Sequence, residues 1–449
     1  MPSFKLFNPK GDLFATGACF FAQAVLKLGS SLILTRIVHP EAYGVITLLL
    51  SIAFVVEMLA DLNVTLFIVR DEHGDTSRYL NTAWTMRLVR SVLNSAAVFL
   101  CAPFISSTIY HLPSITPALR VFSLWFIIGG LESMSFSLAV RQKRSRVFLY
   151  SELAASFIAT AFAVAYTYFS RDYWGMLFGT LLSRALTSGF SHLLYRQRRP
   201  RLQWDWAAAR EILRFTKYTM PSSLLTLGLS QFDKVALLRL SDLAHLGVYG
   251  LAANIASQME SLIAKISQMV LYPRVAHNFR TDRTTFSLKY YSENTKLFIS
   301  ILLLPAAIGG AAQFIVGVLY PAKYAQAGEV LQALMLRAVL LALASPAEDL
   351  LIAAGESQVI LFGNVLRAAW LLAASLIGYH FFGFIGFVYG IASSGLPPLL
   401  YYLALQKKKG FLIARYEVYK VVFCFGVAMG AYLTSSVVWG LWRPMATAF

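Results

Sequence analysis

Ten ionisable side chains lie inside long apolar stretches of this chain: the bases Lys27, Arg184, Lys234, Arg337 and Arg367, and the acids Glu57, Asp61, Glu132, Asp233 and Glu260. A charge in the middle of a bilayer costs ~2.5 to 3.5 kcal/mol on insertion scales, so each must meet a partner or a wet cavity. Guanidinium forks and ammonium groups so placed could grip an anionic cargo. The carboxylates could take up a proton or sodium ion, or could pair with the bases and brace helices. Asp61 follows Glu57 by one helical turn on the same face, which suits an ion site. Asp233 is expected to pair with a nearby Lys or Arg. Arg87, Arg90 and Lys265 stand close enough to the span ends to snorkel toward water.

The elements that carry these charges are membrane spans. Of 449 residues, 57% are hydrophobic and 14% charged, against about a quarter charged in a soluble domain. Apolar runs long enough to cross ~30 Å of hydrocarbon as helices recur throughout. The spans are expected near 13–35, 44–69, 86–108, 118–140, 147–169, 173–195, 216–238, 246–271, 297–319, 329–353, 358–380, 384–405 and 418–441. The alternating ten-residue segments of a membrane barrel are absent from the sequence. Four parts follow: an N-terminal six-helix lobe (1–195), a basic cytoplasmic linker (196–215), a C-terminal six-helix lobe (216–405), and a basic loop with one more helix (406–449). In the linker, Trp204 and Trp206 precede Ile212, Leu213 and Phe215 among basic residues, a pattern for a helix lying in the cytoplasmic interface.

Basic residues set the orientation. With the amino terminus in the cytoplasm, the inner connections carry 25 Lys and Arg, and the outer ones six. The positive-inside rule therefore places the amino terminus inside. The same bias accounts for the net charge of +17 through topology and lipid headgroups, without a nucleic-acid partner.

A repeat organises the lobes. Leu34–Glu57 reads "LTRIVHPEAYGVITLLLSIAFVVE", and Leu237–Glu260 reads "LLRLSDLAHLGVYGLAANIASQME"; eight of 24 positions agree, among them Arg36/Arg239, Gly44/Gly247 and Glu57/Glu260. The offset spans six helices, an even number, so the copies point the same way across a pseudo-two-fold along the membrane normal. The expected fold is an all-α polytopic membrane protein of two parallel six-helix bundles plus one C-terminal helix. Two such lobes facing a central cleft can rock between inward-open and outward-open states. Glu57 and Glu260, being repeat-matched, suit inter-lobe braces. Lys27 aligns with Ser230, so duplication does not account for it.

"LTRIVHPEAYGVITLLLSIAFVVEMLADLNVTLFIVRD" resembles the first-to-second helix passage of the polysaccharide transporters, or oligosaccharide flippases, of the multidrug/oligosaccharidyl-lipid/polysaccharide exporter superfamily. "QFDKVALLRLSDLAHLGVYGLAANIA" is similar to that family's seventh-to-eighth passage, "VLYPRVA" to the exit of the eighth helix, and "LYPAKYAQAGEVLQAL" to the ninth-to-tenth turn. Two departures stand out: Asn63 replaces a Gly after Asp-Leu, and one helix follows the twelfth where many relatives have two, which puts the carboxyl terminus outside. The resemblance implies a multidrug-and-toxin-extrusion-like architecture. It also implies translocation of undecaprenyl-pyrophosphate-linked oligosaccharide from the cytoplasmic to the periplasmic leaflet of the bacterial inner membrane, for O-antigen or exopolysaccharide assembly. On that reading Lys27, Arg184, Arg337 and Arg367 hold the pyrophosphate in the cleft, while Glu57, Asp61, Asp233 and Glu260 couple an ion or brace the lobes. The implied partners are the lipid-linked oligosaccharide, membrane lipids, a polysaccharide polymerase and a chain-length regulator, acting with a monomeric carrier.

Other chemistries find less support. Cys19, Cys101 and Cys424 sit within apolar spans and show no CxxC spacing. The histidines are scattered, and neither a metal nor a cofactor is expected. The GxxxxGK[ST] phosphate loop is missing from the sequence, which argues against ATP hydrolysis. Ala22-Gln23-Ala24 resembles a signal-peptidase site, but the apolar pattern runs on to Leu34 and pairs with the seventh span, so the first helix is expected to stay. A multidrug antiporter of the same architecture would prefer acidic or aromatic cleft chemistry. A polysaccharide polymerase or ligase would need a sizeable outer loop, and the outer connections here are short.

Overall fold

The computed structural model describes residues 9–142, 146–194, 200–281, 286–356 and 358–446. Among them are eighteen α-helices and no strand. In chain order these are α1 (Pro9–Ile37), α2 (Pro40–Leu59), α3 (Val64–Arg70), α4 (Ser77–Phe104), α5 (Thr116–Phe122), α6 (Leu124–Leu131), α7 (Ser135–Arg141), α8 (Arg146–Ser170) and α9 (Trp174–Leu194). They continue with α10 (Trp206–Leu240), α11 (Leu243–Ile266), α12 (Tyr272–Thr281), α13 (Phe286–Gly310), α14 (Ala312–Leu319), α15 (Ala327–Ala353), α16 (Gln358–Ala392), α17 (Leu396–Lys408) and α18 (Ala414–Ala446). Among the described residues, seven helical segments are long and apolar enough to cross a membrane, or eight if α13 and α14, bent by 63°, form one broken span. The chain is an all-α, multi-pass membrane protein. Among the described residues the thirteen expected spans fall largely on helix, and the continuous stretch α16–α17 contains two of them, with Gly383 (φ 60) breaking α16 where the expected spans divide.

Besides 297–319, bent at Ala311 between α13 and α14, two further expected spans are broken. The run 44–69 stops after Leu59 and resumes at Val64. Asp61 causes the interruption: its carboxylate accepts a hydrogen bond from the Asn63 amide (3.0 Å), an Asx turn that competes with the helical ladder. Asn63 takes a left-handed conformation (φ 46), which asparagine tolerates better than most residues. The run 118–140 is interrupted at Ser123 and again at Glu132–Met134. There the Ser133 amide donates to the Ser191 hydroxyl (2.9 Å), and the Ser133 and Ser135 hydroxyls donate to the Ser191 carbonyl (2.8 and 2.7 Å). Side chains thus replace the backbone partners the helix gives up.

Contacts group the chain into two compact units, residues 1–239 and 240–449. In the first, Val64, Phe67 and Ile68 of α3, Leu80, Ala83 and Trp84 of α4, Leu138 of α7 and Ile212 of α10 share one core. The linker ahead of α10 is fastened to the start of α4. Arg78 forms a two-pronged pair with Asp205 (2.8 and 2.7 Å), Asn81 donates to Gln203 (2.9 Å), and Asp205 caps α10 through the Ala208 amide (2.9 Å). The hydrogen bond from Arg78 holds the Asp205 carboxyl down at about 2. Trp204 and Trp206 stay exposed, as an interfacial segment requires.

In the second unit α15 is the central post, its core facing α11, α13, α16 and α17. At the start of α18, the buried Lys420 pairs with Glu417 (2.8 Å) and lies over the Phe298 ring of α13 (4.2 Å). Further along, a Cβ at Gly310 would meet the Ala428 carbonyl oxygen at 2.1 Å. These contacts fix α18 to α13, while the outer face of α18 exposes Val418, Val422 and Phe425. Apolar faces of this size suit lipid rather than water.

Candidate functional site

In the first unit most of the predicted charges find partners. Arg184 of α9 reaches Glu57 of α2 (Nη2 to Oε1, 3.1 Å). Its guanidinium carbon also lies 4.8 Å from the centre of the Trp125 ring, within cation–π range. Its position depends on Gly129, where a Cβ would stand 2.6 Å from Nη2. Arg184 Nε is buried without a hydrogen-bond partner, so the guanidinium is only partly satisfied.

Arg87 and Arg90, expected to snorkel, instead serve the two helix breaks. Arg87 donates to Glu132 (2.6 Å). Arg90 donates to the Ala60 carbonyl (3.2 Å) and stands 3.5 Å from Asp61. The two arginines are three residues apart on one face of α4, and each holds an acid at an interruption of another helix. That i, i+3 spacing was the signal available in the sequence. Asp61 is therefore already engaged by Arg90 and the Asn63 amide.

At the end of α10, Asp233 is buried and accepts from the Lys234 amide (2.9 Å), while Lys234 reaches Gln231 (3.1 Å). Lys27, on α1, is exposed; an exposed position on a membrane helix leaves its ammonium available to lipid or cargo.

In the second unit Arg337 of α15 pairs with Glu260 of α11 (Nε to Oε1, 2.7 Å). The repeat-matched carboxylates thus both hold an arginine, but from different helices of their units. Arg367 of α16 forms neither a hydrogen bond nor an ion pair among the described residues; within electrostatic reach lie Arg337, Glu260, Tyr402 and Glu348. Of these four, Arg337 and Glu260 were expected from the sequence; Tyr402 and Glu348 were not, and Glu348 opens a further polar group. Glu348 neighbours Asp349 and Arg367. Asp349 accepts a hydrogen bond from Ser267, which also receives one from Ser345 (3.0 Å). Ser267 opens a π-helical turn, Ser267–Leu271, a local irregularity that often marks functional positions. Two adjacent acids beside Pro346 were the sequence signal, hidden by their place in the last turns of the span. Among the described residues, no group of three or more metal-ligating side chains occurs.

Among the described residues the geometry therefore offers three arginine–glutamate pairs, Arg87–Glu132 and Arg184–Glu57 in the first unit and Arg337–Glu260 in the second, and in Arg367 an arginine with no carboxylate in pairing range. Such guanidiniums can exchange a carboxylate for a phosphate oxygen without new chemistry.

The chain as a whole is similar to known proteins. WzxC of Escherichia coli K12, a lipopolysaccharide biosynthesis protein, is 23% identical over 374 residues, covering 81% of this chain and 74% of its own. ExoT of Rhizobium meliloti 1021, a succinoglycan biosynthesis transport protein, is 22% identical over 346 residues, 76% of this chain and 69% of its own. AmsL of Erwinia amylovora, an amylovoran biosynthesis protein, is 23% identical over 267 residues, covering 58% and 68%. Among solved structures, the lipid II flippase MurJ in an inward-closed conformation superposes with a TM-score of 0.65 at 13% identity, covering 97% of this chain and 100% of that one. An inward-facing multidrug transporter of the MATE family gives 0.60 at 14% identity, covering 86% and 94%; both likenesses speak to fold. The family model described as "Polysaccharide biosynthesis protein" matches residues 33–329, and with two thirds of its length so matched the chain belongs to that family of membrane transport proteins.

Proposed function

We propose that this protein is a flippase that carries undecaprenyl-pyrophosphate-linked oligosaccharide from the cytoplasmic to the periplasmic leaflet, for O-antigen or exopolysaccharide assembly. It works by alternating access of two parallel lobes in the inner membrane, with its amino terminus in the cytoplasm. The observation that supports this reading best is Arg367: a guanidinium inside a membrane helix, beside an arginine whose glutamate is already engaged, with no ion pair of its own among the described residues. Such a charge is costly in hydrocarbon, and a phosphate-bearing cargo gives it a purpose. Arg184 and Arg337 join it by loosening from Glu57 and Glu260 when the pyrophosphate arrives, and Lys27 adds a cation from α1. Glu57 and Glu260 hold the arginines in place between cargoes; Asp61 and Asp233 are the ion-coupling candidates. Relatives named for lipopolysaccharide and succinoglycan biosynthesis support the sugar-bearing cargo.

The test is export. Lys27, Arg184, Arg337 and Arg367 are each replaced by Ala in a host whose surface polysaccharide depends on this protein, and export is scored at matched protein level in the membrane. Arg367→Ala is expected to lower export at least ten-fold. Four variants with unchanged export would remove the proposed grip on pyrophosphate.

A further inference from the structure

Away from these charges, a cavity of about 420 Å³ opens between α12 and α13, lined by Pro273, Arg274, His277, Asn278, Glu293 and Asn294. Its volume falls within the ~300–1,000 Å³ range of small-molecule sites. Its depth is informative. The expected spans end at 271 and resume at 297, so at ~1.5 Å per residue its lining residues lie at most ~10 Å beyond the hydrocarbon, the zone of lipid headgroups.

The walls differ in chemistry. On α12, Arg274 and His277 stand one turn apart, and neither side chain has a hydrogen bond or ion pair among the described residues. On α13, Glu293 accepts a hydrogen bond from Asn278 through Oε2 (2.8 Å), which leaves Oε1 open. Asn294 is 1% exposed; its amide nitrogen donates to the Tyr290 carbonyl (2.9 Å), and its Oδ1 is buried with no donor. A buried acceptor without a donor is unfavourable, and the open Oε1 of Glu293 at the surface calls for a positively charged N–H.

We propose that this pocket binds a zwitterionic phospholipid headgroup that carries a phosphate and a primary ammonium, as in phosphatidylethanolamine. The phosphate sits against Arg274 and His277. The ammonium, with three donors, reaches Glu293 Oε1, with Asn294 behind it in the pocket wall. A quaternary ammonium has no N–H to donate, and a glycerol headgroup has hydroxyls but no charge for Glu293, so the site discriminates among headgroups that share the same phosphate. The inference stands apart from the transport reading.

Native mass spectrometry of the detergent-purified full chain tests it, with dioleoyl phosphatidylethanolamine, phosphatidylglycerol and phosphatidylcholine added at equal concentration. The ethanolamine lipid is expected to be retained at least five-fold over either competitor. Glu293→Gln should bring it down to their level, and Arg274→Ala, at an exposed position, should lower its retention at least three-fold, both without a change in melting temperature. Equal retention of the three lipids by the unaltered protein would overturn the proposal, as would an ethanolamine preference that survives both substitutions. Displacement of the lipid by millimolar inorganic phosphate alone would show that only the phosphate is read and would overturn the zwitterion assignment.

Discussion

Charges inside a membrane protein divide by whether they hold a partner, and the division predicts which substitutions harm the fold and which harm the work. Arg337 and Glu260 are paired at 2.7 Å with both side chains largely buried. Arg337→Ala leaves the carboxylate uncompensated, a change that costs ~3 kcal/mol in similar settings; removing both charges in Arg337→Ala/Glu260→Ala should recover most of it. The check is thermal unfolding in detergent, where a double variant no more stable than the single would contradict the assignment. Arg367→Ala breaks no ion pair and should leave the melting temperature within about 2 °C while export falls. The glutamates were legible in the sequence because the repeat marks them. Their partners were not, since an ion pair forms across helices whose packing order no single sequence displays. The repeat gives no help either: 203 residues on from Arg184 stands Phe387, and 203 residues before Arg337 stands Met134.

Helices in this chain are positioned by small residues and by side chains that replace broken ladders. Gly129 leaves the room Arg184 occupies, and a methyl group 2.6 Å from Nη2 must displace the guanidinium from Trp125 and Glu57. Gly129→Ala is therefore expected to mimic Arg184→Ala in export, at normal membrane abundance; full export would mean that Arg184 tolerates displacement or does not contact cargo. The linker makes a second prediction. Asp205 titrates near 2, below its usual value, so its tie to Arg78 contributes stability that is complete above about pH 4 and is lost as the pH falls through about 2. Asp205→Asn should remove that contribution at neutral pH, seen as several-fold faster tryptic cleavage after Arg201; an unchanged rate would contradict it. Span positions were readable from apolar length alone. The breaks at Ala60–Asn63 and Glu132–Met134 were not, because hydropathy averages over the two or three polar residues that make them. Their cue was chemical: an Asx turn at Asp61 and serines following Glu132.

At the scale of the whole chain, contacts divide the residues into two units of similar size at 239/240, inside the second copy of the repeated stretch, and the family match accounts for a membrane transport role in polysaccharide biosynthesis. What the duplication does not dictate is the asymmetry: Asp61 aligns with Ala264, and Glu132 with Met335. Asp61 and Glu132 at the helix breaks of the first unit thus have no counterpart at the matched positions of the second, which carries Arg367 beside an arginine–glutamate pair. The cargo proposed above, with a charged end and a sugar end, would suit such inequality. A diphosphate carries about two negative charges, so for that cargo an inside-negative potential would assist outward passage by ~2.3 kcal/mol per charge per 100 mV. The most direct measurement of the central claim uses the purified protein in sealed vesicles with undecaprenyl-pyrophosphate-linked oligosaccharide, and follows arrival of the sugar in the opposite leaflet under an imposed potential. The account predicts transfer well above protein-free vesicles, faster with the potential favouring anion movement and abolished by Arg367→Ala. Transfer no faster than in protein-free vesicles, or undiminished by Arg367→Ala, would contradict it.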